Sequence, residues 1–112
     1  MKTFMMIFRF EPNFSYKPTP EDINKQQESW GKWIGNLAST GKMMETNRFG
    51  FEGKIVQADA TVLNKYYAPK NKMVSSYMTL KVASEEEVIE IAKECPIKLL
   101  GGFTEIREIV AM

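Results

Sequence analysis

Apolar and polar positions alternate in two different periods along this chain and divide it into strands and helices. In Lys2–Phe10, Phe4, Met6, Phe8 and Phe10 fall on one side of an extended segment, with Met5, Ile7 and Arg9 on the other, which predicts a first strand. A strand apolar on both sides is normally covered on both. A proline-rich connection runs from Pro12 to Pro20. Thr19, Pro20 and Asp22 then make a helix start: a hydroxyl cap, proline at the first helical position and a carboxylate three residues after the cap. Ile23, Trp30, Trp33, Ile34, Leu37 and Ala38 follow close to the helical period, and Gly41 supplies a left-handed stop. Gly31 and Gly35 lie on one flank of that stripe, where close packing against another backbone is expected.

The pattern weakens between Met43 and Asn71. Gly50 and Gly53 mark turns, and Lys54–Ala58 with Thr61–Tyr67 predict a hairpin or a pair of short strands. Met73–Val82 is a strand again, with Val74, Met78, Leu80 and Val82 facing one way and Tyr77, Thr79 and Lys81 the other. Ser84 and Glu87 match a capping box in which the carboxylate returns to the Ser84 amide. Val88, Ile91, Ala92 and Cys95 continue at helical spacing until Pro96, and Phe103–Val110 is a last strand after Gly101-Gly102. This order predicts one α+β domain over residues 1–112, with two helices on one face of a mainly antiparallel sheet. The opposite face collects Met5, Ile7, Tyr77, Thr79, Glu105 and Arg107. A second copy of the chain is the simplest cover for such a face, so a homodimer is expected.

Composition narrows the chemistry. The 112 residues suffice for a single core, and 44% apolar with 26% charged residues is the balance of a globular protein. Fifteen basic against fourteen acidic residues leave a formal charge of +1, which argues against nucleic acid and anionic membrane as partners. No segment approaches the length of an apolar membrane helix, and Arg9 and Glu11 cut short the opening apolar run before it resembles a signal peptide. A cytoplasmic protein with one free thiol, Cys95, is the expectation. Histidine is absent, which removes imidazole mechanisms, and with a single cysteine it leaves no expected metal site and no expected cofactor.

Several short motifs occur in a telling order: Tyr77-Met78-Thr79-Leu80-Lys81-Val82, Ser84-Glu85-Glu86-Glu87, Cys95-Pro96, Gly101-Gly102 and Glu105-Ile106-Arg107-Glu108-Ile109. Together with the opening strand and the Trp30–Gly41 helix end, they resemble the YCII-related, or DGPF-domain, family. That resemblance implies a ferredoxin-like subunit forming a dimeric α/β barrel. The family's Asp-Gly-Pro-Phe falls near Asn64-Lys65-Tyr66-Tyr67, its Gly-Gly is Ser75-Ser76, and its second Tyr is Met78. A His–Asp pair proposed as catalytic in some members has no counterpart here.

Arg9, Tyr77 and Arg107 emerge as candidate ligand-binding residues because alternation sends all three toward the uncovered face. Only three arginines stand among the fifteen basic residues, and a guanidinium suits the planar fork of a carboxylate. Trp33, at the margin of its helical stripe, and Tyr67 are expected to wall the apolar side, with Trp30 in the core. The competing structural explanation is that Arg9 and Arg107 pair with Glu11, Glu105 or Glu108 and only tie strands together. Arg48-Phe49-Gly50-Phe51 resembles part of an RNA-recognition strand, but the glycine expected after the basic residue is missing. Two readings of function follow: a module that binds a small anionic or aromatic molecule without a cofactor, or a cofactor-independent enzyme acting on one.

Overall fold

The computed structural model describes residues 1–13 and 15–112; residue 14, in the proline-rich connection, lies outside the described residues. Among the described residues six strands and two α-helices follow one another as β1 (Lys2–Phe10), α1 (Pro20–Ser39), β2 (Met43–Arg48), β3 (Ile55–Val56), β4 (Val62–Leu63), β5 (Met73–Val82), α2 (Glu85–Lys93) and β6 (Phe103–Glu108). The main sheet has the order β2-β5-β1-β6, and each neighbouring pair is antiparallel. It follows that β1 runs parallel to β2 and is joined to it through α1, while β5 runs parallel to β6 and is joined through α2. Crossovers of the usual hand send both helices to the same face of the sheet. The protein is thus an α+β domain, an antiparallel sheet with two helices.

The local signals for α1 are realised in full. The Thr19 side chain accepts from the Asp22 amide, and the Asp22 carboxylate accepts from the Thr19 amide, each at 3.1 Å. Tyr16 donates its hydroxyl to the same carboxylate. At α2 the Ser84 hydroxyl accepts from the Glu87 amide at 3.4 Å. The Glu87 carboxylate, however, takes the Ala83 amide at 3.2 Å and not that of Ser84, and it is also held by Lys42. An ion pair to the end of α1 thus replaces the reciprocal half of the expected box.

Phe4, Met6, Phe8, Met78, Leu80 and Val82 meet Trp33, Leu37 and Val88 in one core, joined by Cys95 and Ile97. Each such side chain contributes about 1.5–3 kcal/mol by leaving water. Phe8 meets Trp30 and Trp33 edge-on at 5.5 and 5.8 Å, the geometry that aromatic quadrupoles favour. The two tryptophans exchange the roles predicted for them. Trp33 is the core residue, 9% exposed, and Trp30 is half-buried at its margin.

Four other expectations are corrected. Gly31 and Gly35 face open space, so no backbone packs on them. Met43–Arg48, which alternation leaves unassigned, is the edge strand β2 of the main sheet. Val74 pairs with Arg9 and not with the core face, because the register shifts at Phe8/Arg9 and leaves Ser75 as an extra residue; Met73 takes the buried place. The last strand closes at Glu108, two residues before the predicted Val110.

Between β2 and β5, residues 49–72 form an excursion built on the small hairpin β3–β4, whose strands pack chiefly on each other. Its base is closed by Gly53, where a Cβ would stand 2.9 Å from the Cβ of Tyr66.

Candidate functional site

Among the described residues no helix or further strand packs on the face of the main sheet opposite the helices, and the antiparallel register lays its side chains in rows. Arg107, Met5, Thr79 and Glu45 form one row, and Glu105, Ile7, Tyr77 and Asn47 the next. Phe103, Arg9 and Val74 form a third at the bulge. Arg9, Tyr77 and Arg107 therefore share one face on adjacent strands, the placement that alternation predicts.

Arg9 is the best-held of the three. Its side chain is 20% exposed, and Nε donates to Glu105 Oε1 at 3.3 Å. Glu105 places its other oxygen 3.7 Å from Arg107 Nη1, so one carboxylate stands between two guanidiniums. The pairing foreseen as a structural explanation is therefore present, with Glu105 as the shared partner. It leaves Arg9 unfinished. Nη1 is buried and has no acceptor among the described residues. A desolvated guanidinium N–H without a partner is costly, and a carboxylate oxygen from a ligand would satisfy it.

Beside it, the Tyr77 hydroxyl donates to the Glu45 carboxylate, and Asn47 Nδ2 donates to both groups, at 3.0 and 3.1 Å. The Phe49 ring lies 5.7 Å from that of Tyr77, tilted by 35°. Chemically, this face offers a cationic fork, an aromatic wall and a tyrosine–carboxylate pair able to pass a proton. Glu45, Asn47 and Phe49 were missed from the sequence because β2 lacks clear alternation. The signal available was the position of Lys42-Met43-Met44, directly after the helix stop at Gly41.

Trp33 and Tyr67 do not join this group. Trp33 lies on the helix side of the sheet, where it lines a groove of about 680 Å³ between α1 and α2 together with Leu37, Ile91 and Leu99. Tyr67 lines a separate cleft of about 970 Å³ at the base of the excursion, with Lys54, Asn64, Lys65 and Tyr66. Helical spacing gives Trp33 only the edge of its stripe, and residues 49–72 carry no period that fixes where Tyr67 lies.

The remaining groups have structural occupations. Asp59 accepts from the Thr61 amide at 3.0 Å and closes the β3–β4 turn. Burial pushes the Cys95 thiol up to about 11, which keeps it protonated and unreactive. Among the described residues no cluster of three or more His, Cys, Asp or Glu could hold a metal ion, and no helix is long and apolar enough to cross a membrane. The chain matches no protein-family model, and no curated protein matches it.

Proposed function

We propose that this chain is the ferredoxin-like subunit of a cytoplasmic homodimer that binds a small carboxylate-bearing, partly aromatic molecule on its open sheet face, without a cofactor. The observation that carries this reading is the buried Arg9 Nη1 with no acceptor among the described residues, beside Tyr77 on the next strand. Arg9 anchors the anion, Arg107 adds charge from the rim, and Tyr77 with Phe49 supplies an aromatic surface. The strand order β2-β5-β1-β6 supports the ferredoxin-like description, and the resemblance to the YCII-related family supports a dimeric barrel in which this face turns inward.

Thermal unfolding in benzoate tests the proposal. A ligand at ten times its Kd adds about 1.4 kcal/mol to stability, a rise of roughly 6 °C in a domain of this size. Arg9→Met should abolish the rise while the dimer persists. An equal rise in the variant would refute the site, and loss of the dimer in the variant would return Arg9 to a structural role. A second reading, a cofactor-independent enzyme, is favoured by one observation: the Tyr77 hydroxyl is bonded to a carboxylate on the same face. Under that reading Tyr77→Phe keeps benzoate binding and removes turnover.

A further inference from the structure

We infer that residues 50–72 are an arm held by a second copy of this chain, each arm lying over the partner's open sheet face and roofing its Arg9 site. The inference rests on the dimer proposed above and adds to it which segment crosses between copies and what it covers.

The hairpin itself supplies the first argument. Its strands are two residues each, Ile55–Val56 and Val62–Leu63, and an isolated two-stranded hairpin is at best marginal in water. Yet the turn is well specified. Gln57 donates its amide to Thr61 and receives that of Ala60, and Asp59 caps Thr61. Ala60 is held left-handed at φ 72°, where any residue with a Cβ is strained. Val56 and Val62 stand directly opposite each other, 70% and 52% exposed. Such a cross-strand pair contributes only about 0.2–1 kcal/mol by mutual contact, and it leaves the outer surface of both valines for a partner to cover, since β3 and β4 pack chiefly on each other.

Area is the second argument. A compact monomer of 12.9 kDa exposes roughly 6,300 Å², whereas this chain exposes 8,109 Å². The excess is about twice the roughly 800 Å² that each partner buries in a stable complex. The radius of gyration, 15.7 Å, likewise exceeds the roughly 13 Å expected of a compact chain of this length.

Tyr67, 71% exposed on its own chain, becomes a wall of the partner's site, which reunites it with Arg9 across the interface.

The test is V56K/V62K in the full chain, at two positions already exposed in one copy, followed by sedimentation velocity across a concentration series. The expected result is a dimer weakened about tenfold or more with unchanged far-UV circular dichroism. If the variant loses that spectrum, isotope-filtered NOEs in a wild-type sample mixed from 13C-labelled and unlabelled chains decide. Val56 and Val62 methyl groups should then show cross-peaks to protons of the other copy. A variant that dimerises as tightly as wild type, methyl groups with contacts only inside their own chain, or a monomeric wild type would each overturn the arm. A weakened variant dimer with no benzoate response in wild type removes the ligand reading and leaves the arm. Benzoate binding that depends on Arg9, beside an undisturbed variant dimer, does the reverse.

Discussion

Gly102→Ala and Gly31→Ala are the same chemical change with opposite expected signs. At Gly102 a Cβ would stand 2.7 Å from Ile97 Cγ1 and 2.9 Å from Phe10 Cβ, and closer still to the Arg9 carbonyl oxygen. The last of these is backbone of β1, hydrogen-bonded on both sides, and cannot swing aside. Overpacking of this kind costs about 1–3 kcal/mol, and a backbone obstacle puts it near the top of that range. The stiffer unfolded chain returns about 0.5–1 kcal/mol, which leaves a loss of roughly 2 kcal/mol. For a domain of this size that lowers the unfolding midpoint by roughly 8 °C. At Gly31 nothing lies within 4 Å, and alanine in a helix interior is worth up to about 1 kcal/mol over glycine, so the midpoint rises by roughly 4 °C. Thermal unfolding followed by circular dichroism at one fixed protein concentration reads both. A Gly102→Ala midpoint within about 2 °C of wild type would refute the close approach of β6 to β1 on which the argument stands.

Stability should fall in acid. The Tyr16 hydroxyl holds the Asp22 carboxyl below its ordinary 3.8, and Lys42 holds Glu87 below its ordinary 4.5. Groups depressed by folding stabilise fully above their ordinary values and lose that contribution as pH falls through the lower folded ones. Urea titrations from pH 6 to 2.5 should therefore show a decline beginning near pH 4.5 that is shallower in Asp22→Asn/Glu87→Gln. Native Cys95, its thiol pushed up to about 11 inside the core, should not react with Ellman's reagent at pH 8 and should react at once in guanidinium. Ala60→Gly relieves a left-handed residue and should slow hydrogen exchange at the Gln57 amide about fivefold. Glu105→Gln should tighten benzoate binding, because it weakens the internal competitor for Arg9.

Much of the main sheet was legible in the sequence because its signals are local. The alternation of β1, the Thr19–Asp22 cap and the Pro96 stop each report a physical preference of a few neighbouring residues. The faces of Arg9, Tyr77 and Arg107 followed from the same period of two. Elements without a local signal were not legible. Met43–Arg48 is a strand because β5 offers it an edge, and two exposed methionine and glutamate positions give no period to read. The shift at Phe8/Arg9 moved Val74 across the sheet, and no residue type marks that bulge. Trp33 and Trp30 are three apart on one stripe and both meet Phe8 and each other, so spacing alone does not tell which lies deeper. Tyr67 joins the expected site through its place in Asn64-Lys65-Tyr66-Tyr67, a motif resemblance that carries no position in space, and within a single chain the fold separates it from Arg9.

The three arginines offer the most direct test of the ligand site, since Arg9, Arg48 and Arg107 give only three side-chain Nε–Hε signals in a nitrogen-15 spectrum. Benzoate titrated into the labelled protein should shift the Arg9 signal saturably, move Arg107 less, and leave Arg48 in place. No shift at Arg9, or small unsaturating shifts of all three together, would contradict the account.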